Sequence, residues 1–263
     1  MQTIQISGAM LQIDVHDTSP RAVFVHGLGD DLSTWDEVWR ELDKRPLPHK
    51  QKLRYDLRGF GQSIALSDAA YNHADDLLAL LNATAIEQCD LVGVSMGGSI
   101  ALNFTLDHPE RVRSLVLISP GMVAWEWSDA WRALWQPIEQ HARNGDMDAA
   151  RQLWWMHPLF ATTRCTAAGS ALHASILRYS GQQWVHDNHQ LMMPDIERLH
   201  QLTTRTLLLT GAKDFEDFRL IADLIEGSAA NVQRIDRPDH GHLLNLEDPV
   251  MCAHEMLAFW KDG

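Results

Sequence analysis

Apolar and polar residues alternate in TIQI at positions 3–6 and in MLQIDV at 10–15, with Ser7-Gly8 between them. A period of two broken by a turn pair predicts a β-hairpin lying at a sheet edge. From residue 22 the pattern changes to short runs, most of them apolar, at 22–25, 52–55, 91–94, 115–118 and 206–209. Most are followed by segments in which apolar residues recur every three or four positions, at 33–42, 72–86, 96–106, 218–225 and 249–260. Runs without alternation read as strands covered on both faces, and helical spacing between them reads as crossover helices, so the expectation is a mostly parallel, doubly wound α/β sheet.

The alternation stops at residue 121 and resumes near 201. The intervening stretch holds no convincing strand but seven of the ten tryptophans and six of the fourteen histidines. It predicts a helical insertion at 121–200, packed as a cap on a core made of 1–120 and 201–263, because no low-complexity linker would let it swing away. Trp127, Trp131 and Trp135 fall at i, i+4 and i+8, the spacing of one helical face, and Trp154 and Trp155 belong to a later helix.

Composition narrows the functions available. With 22 Lys and Arg against 35 Asp and Glu, a formal charge of −13 repels nucleic-acid phosphates and anionic membranes, so the expected partner is a small molecule. A 45% hydrophobic, 22% charged chain of 263 residues has the makings of a sizeable core. Cys89, Cys165 and Cys252 are far apart with no CxxC, which suits a reducing compartment and gives neither a disulfide framework nor a thiolate metal site. The N-terminus lacks a basic stretch leading into a long apolar run, and the uncharged run 91–106 is too short and too rich in Gly and Ser to span a bilayer. A cytoplasmic protein is expected.

The chemistry centres on Gly93-Val94-Ser95-Met96-Gly97, which ends the run 91–94 and opens the helical segment after it. A serine at a sharp strand-to-helix turn projects its hydroxyl from a strained backbone, and side chains two positions before and after it would collide, which is the reason for glycine at 93 and 97. At this point the chain resembles the α/β-hydrolase fold superfamily, in its single-domain branch with a helical cap. His26-Gly27-Leu28-Gly29 is similar to the family's HG motif, and the segment DLRGFGQS from Asp56 to Ser63 is similar to its D-x-R-G-x-G-x-S loop. Gly211-Ala212-Lys213-Asp214, and Gly241-His242 with Leu246-Glu247-Asp248-Pro249 downstream, follow in the family's order of Ser, Asp, His.

The resemblance implies a nucleophile Ser95, a base His242 and an orienting carboxylate Asp214, without cofactor or metal. Each role has a physical reason: a serine hydroxyl needs a base that titrates near neutrality, and the imidazolium formed needs a buried carboxylate to fix its tautomer. Glu216 and Asp217 compete with Asp214, although they should begin the next helix and complement its dipole. His240 competes with His242, and the pair at i, i+2 invites a metal-site reading that no HExxH or Cys/His cluster supports. His26 is expected to shape its loop through backbone hydrogen bonds, and Arg58 to brace neighbouring loops. Backbone N–H groups of Leu28 and Met96 are the expected oxyanion donors.

A serine at the elbow sets the chain apart from the dehalogenase and epoxide hydrolase branches, which carry aspartate there. The expected reaction is hydrolysis of a small to medium apolar carboxylic ester or lactone, with Trp131 and Trp155 in the substrate pocket. Enol-lactonase action and hydrolysis of a C–C bond in meta-cleavage products are alternatives of the same fold, the latter set back by Val94 and Leu243 where that branch carries Asn and Trp. A weakly catalytic small-ligand receptor is the alternative of another class.

Overall fold

Strands β1 (Gln2–Ile6) and β2 (Ala9–His16) pair antiparallel across a turn in which Gly8 takes φ +72°, a left-handed conformation that glycine adopts without steric cost. The computed structural model describes residues 1–16, 22–44, 52–190 and 193–261. Seven further strands complete the sheet: β3 (Ala22–Val25), β4 (Lys52–Tyr55), β5 (Ile64–Ala65), β6 (Cys89–Val94), β7 (Val112–Ile118), β8 (Arg205–Gly211) and β9 (Val232–Arg237). Their order is β1-β2-β4-β3-β6-β7-β8-β9, with β5 paired to β2. All pairings from β4 to β9 are parallel.

Two features depart from the sequence reading. Antiparallel pairing extends beyond the hairpin, because β2 also runs antiparallel to β4 and to β5. The apolar-run criterion also missed β9, which is an edge strand with Val232 and Ile235 as its only apolar residues. Strands β3 and β6 are fully buried, β3 as an unbroken apolar run and β6 as the run 91–94 preceded by Asp90, which accepts the Ser114 hydroxyl.

The helices are α1 (Asp36–Asp43), α2 (His73–Ala83), α3 (Met96–Asp107), α4 (Asp129–Arg143), α5 (Met147–Met156), α6 (Gly169–Arg178), α7 (Gln182–Val185), α8 (Glu216–Ser228), α9 (Leu244–Glu247) and α10 (Pro249–Lys261). Helix α2 packs on α3, and α1 on α10, forming the helical layers of the sheet. Asn72 caps α2 by accepting the N–H groups of Ala74 and Asp75. The Asp56–Ser63 loop is braced as expected: Arg58 donates to both oxygens of Asp76, at 2.5 and 2.8 Å, and to the Ser7 carbonyl. His26 likewise accepts the Leu57 N–H at Nε2, which leaves Nδ1 to donate to the Gly27 carbonyl.

Helices α4 to α7 all lie between β7 and β8, and the described residues of that stretch contain no strand. Helix α4 packs on α5 and α7, and α5 on α6. Trp127 departs from the expected helical face: Ser128 is the N-cap of α4, so Trp127 precedes the helix. Its indole still stacks on Trp131, at 4.4 Å between ring centroids, and Trp131 stacks on Trp135 at 6.0 Å. The cap helices are tied to the core by polar contacts. Asp217 in α8 accepts from Trp125 Nε1 and from both the N–H and hydroxyl of Ser128, and Ser175 in α6 donates to Asp30 at 2.6 Å. Among the described residues, no helix is long and apolar enough to cross a membrane.

Candidate active site

Strand order reverses between β4, β3 and β6, so the loops after β3 and β6 diverge and leave a crevice at the strand ends, where open α/β sheets bind ligands. Ser95 stands there, between the end of β6 and the first residue of α3, with φ +55° and ψ −120°. Such a backbone costs a non-glycine residue about 1 to 3 kcal/mol and persists only when its surroundings enforce it. Here the Ser95 N–H is held by the Ile118 carbonyl, and the Ser95 carbonyl accepts the N–H groups of Ser99 and Gly121. A Cβ on Gly93 would lie 2.2 Å from the Gly97 carbonyl oxygen, and one on Gly97 2.3 Å from the Val25 carbonyl oxygen, so both glycines are sterically required.

Asp214 lies three residues beyond β8, and His242 five beyond β9. The structure brings them together: Nδ1 of His242 is 3.0 Å from each carboxylate oxygen of Asp214. Both side chains are buried, and Asp214 Oδ1 also accepts the Phe215 N–H, which fixes the carboxylate as an acceptor. Nδ1 of His242 must then carry the proton, and Nε2 presents a lone pair, the tautomer a base requires. Nε2 is buried with no hydrogen-bond partner among the described residues, so the bond to Ser95 is not formed in this state. Ser95, His242 and Leu28 nevertheless line one narrow cleft of about 20 Å³. The rivals have other partners. Asp217 holds the cap, Glu216 opens α8, and His240 points Nε2 toward Asp248 at 3.8 Å.

A larger cavity of about 560 Å³ opens over Ser95, with Leu28 and Met96 in its wall beside the serine. Met96 is the first residue of α3, where an N–H has no intrahelical acceptor and the helix dipole favours negative charge. Trp131, Trp154 and Phe218 supply much of the apolar wall. Trp131 was expected there; Trp155 was too, and is not among the described lining. The neighbouring positions 154 and 155 lie about 100° apart on a helix and so point in different directions. Trp154 lines the cavity, whereas Trp155 packs on His173 at 4.6 Å between ring centroids and lies under the Arg164 guanidinium.

Residues 20–249 match the family model for the alpha/beta hydrolase fold. The chain belongs to that family. Among curated relatives, it is 25% identical over 257 residues to 3-oxoadipate enol-lactonase 1 of Acinetobacter baylyi, covering 95% of this chain and 92% of the relative. It is 35% identical over 136 residues to 2-hydroxymuconate semialdehyde hydrolase of a Pseudomonas species, a match covering 50% of this chain and about half, 48%, of that relative's length. Solved structures with the same fold include the enol-lactonase of Burkholderia xenovorans, with TM-score 0.81 and 20% identity over 99% of this chain and 100% of that one. The esterase of Thermogutta terrifontis gives TM-score 0.80 and 21% identity over 100% and 99%.

In this alpha/beta hydrolase fold protein, several residues that sequence reasoning passed over hold the site in place. Glu247, quoted only as part of the histidine segment, accepts the Gly241 N–H at 2.7 Å and the Thr163 hydroxyl at 2.7 Å, joining the loop of His242 to the cap. Asp30 accepts both the Asp31 N–H and the Ser175 hydroxyl directly after the turn bearing Leu28. Neither Thr163 nor Ser175 carries a local sequence signal, because each acquires its partner only when distant segments meet.

His157 is the least expected neighbour. It is 2% exposed and packed among Trp131, Trp154 and Phe215, and Nδ1 accepts the Leu159 N–H at 3.2 Å. Burial, and then the nearby His242 and Arg164, push its pKa down to about 4. Between pH 6.5 and 4 the unfolded chain therefore binds a proton at this position that the folded protein does not. His157 costs no stability above pH 6.5 and removes about 3 kcal/mol as pH falls through that window. In His157→Asn, whose Oδ1 replaces Nδ1 as acceptor for the Leu159 N–H, denaturant unfolding from pH 7 to 4 is expected to show a shallower loss of stability than the parent; equal slopes would contradict the assignment.

Proposed function

We propose that the protein is a serine hydrolase that cleaves a small to medium apolar carboxylic ester or lactone through an acyl-enzyme formed on Ser95. The observation that carries this reading is the buried Asp214–His242 pair sharing one cleft with a serine in a strained elbow. Nε2 of His242 takes the proton of Ser95 as Oγ attacks the carbonyl carbon, and the negative charge moves onto the carbonyl oxygen, facing the N–H groups of Leu28 and Met96. The carbon–oxygen bond to the alcohol then breaks, and the alcohol leaves with the proton held by His242. Water attacks the acyl-enzyme with His242 again as base, releasing the acid and restoring Ser95.

A relative that aligns along almost the whole chain is named an enol-lactonase, which supports the lactone half of the reading. The half-length match to a semialdehyde hydrolase favours a second reading, hydrolysis of a C–C bond by the same residues. The helices from α4 to α7 serve as the lid that selects the substrate. The free cysteines Cys89, Cys165 and Cys252 support a reducing compartment, the cytoplasm, and the acidic charge supports a small-molecule partner over nucleic acid.

Labelling with a fluorophosphonate, followed by peptide mapping, tests the reading directly. The label is expected on Ser95 alone. A label on another residue, or none at all, would sink the assignment and leave a ligand receptor as the better description.

The wall of the Ser95 cavity limits chain length. Each methylene added to an acyl chain gains about 0.8 kcal/mol only until the space is full, so kcat/KM across acyl lengths is expected to peak and then fall. Trp131→Ala should move that peak to longer chains and, because the ring is packed among Trp127, Trp135 and Phe218, cost about 3 to 5 kcal/mol in stability. A stability loss with an unchanged peak would make Trp131 a packing residue only.

A further inference from the structure

A second chamber, of about 320 Å³, adjoins the one over Ser95, and Met96, Ser99, Met122, Trp125 and Trp127 line both. Its remaining walls differ in kind. Where the first chamber has Trp131, Trp154 and Phe218, the second has Asn72, His73 and Asn103 from the core and Gln183, Asp187 and His189 from the cap side. None of these polar residues belongs to the chemistry at Ser95.

Their hydrogen-bonding state is informative. His73 is 3% exposed, yet its Nδ1 is buried without a hydrogen-bond partner among the described residues. Its ring stacks on His189, at 4.8 Å between centroids and 27° between planes, with Tyr71 edge-on to both. Burial lowers the pKa of both imidazoles, with each other's proximity adding to the effect at His73, so both are uncharged at neutral pH. Asn103 donates Nδ2 to the Asp195 carboxylate at 2.8 Å, which fixes the amide and leaves Oδ1 as an acceptor. The described lining holds no lysine or arginine, and its one carboxylate, Asp187, is exposed at the edge, where Oδ1 accepts the Tyr71 hydroxyl and the His189 N–H.

We propose that this chamber is a second substrate compartment that takes an uncharged hydrogen-bonding group, a hydroxyl or a carboxamide, at the far end of a chain whose ester lies over Ser95. An anionic end would enter a space with no fixed positive charge and a carboxylate at its edge. A methyl end would leave Asn103 Oδ1 and the His189 ring, which makes no side-chain hydrogen bond among the described residues, without a partner in the chamber. A neutral polar end meets neither obstacle, because it can donate to or accept from an uncharged imidazole and donate to Asn103 Oδ1. The inference deepens the proposed ester or lactone hydrolysis and, in its kinetic form, rests on it.

The test compares 4-nitrophenyl esters of six-carbon acyl chains ending in methyl, hydroxyl, carboxamide or carboxylate. The hydroxyl and carboxamide esters are expected to exceed the methyl ester in kcat/KM by about tenfold, and the carboxylate ester to be the poorest. In His73→Phe and in His189→Phe, the ratio of hydroxyl to methyl ester should fall toward one; because it is a ratio within one variant, it is insensitive to any misfolded fraction. A wild-type ratio at or below one, a preference for the carboxylate, or a ratio unmoved in both variants would overturn the inference. A second readout does not need turnover: in Ser95→Ala protein, the side-chain ¹⁵N resonances of His73 and His189 should shift on adding methyl 6-hydroxyhexanoate and stay in place with methyl hexanoate. Shifted resonances with no hydrolysis of any ester would keep the chamber and overturn the proposed reaction. Hydrolysis without a ratio and with static resonances would do the reverse, and static resonances with no hydrolysis would overturn both.

Discussion

Ser95→Ala is expected to lower kcat for a 4-nitrophenyl ester by on the order of 10⁶ while leaving the protein folded, because the residues of a nucleophile–base–carboxylate set act as a unit and loss of the nucleophile removes the covalent route entirely. The fold should tolerate the change. The Ser95 hydroxyl makes no hydrogen bond among the described residues, and its backbone is held by Ile118, Ser99 and Gly121 through main-chain bonds that alanine keeps. Alanine carries the same Cβ into φ +55°, so the strain is neither relieved nor increased. Residual catalysis over water by the Leu28 and Met96 N–H groups should survive. Steady-state kinetics paired with thermal unfolding checks both halves: a fall of less than a hundredfold with an unchanged melting temperature would mean that another group attacks the carbonyl.

How much of this was legible beforehand follows from where each signal resides. The elbow was readable because its constraint is local: Gly93 and Gly97 are demanded by backbone contacts 2.2 and 2.3 Å from where a Cβ would sit, so the requirement is written within five residues. The buried strands β3 and β6 were readable for a similar reason, since burial on both faces leaves uncharged, largely apolar runs at 22–25 and 91–94. Strand β9 was not, although the loop after it carries His242. As an edge strand with none of its six residues buried, it shows only Val232 and Ile235 to an apolar criterion. Spacing at i, i+4 placed Trp127 on the helix of Trp131, but spacing does not report where a helix begins, and the Ser128 cap does. The choice between Trp154 and Trp155 depends on the rotation of α5 about its axis, which is set by packing against α4 and α6. The ties from Ser175 to Asp30 and from Thr163 to Glu247 join residues 145 and 84 positions apart, and no pattern in one sequence pairs them.

Asp214→Asn is expected to lower kcat by about 10⁴ with little loss of fold, a larger effect than any single hydrogen bond explains. With the carboxylate present, both of its oxygens lie 3.0 Å from Nδ1 of His242, so either accepts the imidazole proton. Oδ1 must in addition accept the Phe215 N–H at 2.6 Å, so an asparagine would place its carbonyl oxygen there and its amide nitrogen at the Oδ2 position, where an N–H donor would stand 3.0 Å from a protonated Nδ1. An amide N–H facing Nδ1 favours the opposite tautomer, with the proton on Nε2 and no lone pair for the Ser95 hydroxyl. The imidazolium of the transition state would also lose the negative charge that offsets it in a buried site, where such an offset counts most. His240→Ala supplies the contrast, because the His240 ring points toward Asp248 at 3.8 Å and, among the described residues, forms no side-chain hydrogen bond or ion pair with Asp214, and it should leave kcat within about tenfold of the parent. Should His240→Ala prove as damaging as Asp214→Asn in a protein that remains folded, the base has been assigned to the wrong histidine, and the tautomer argument at His242 falls with it.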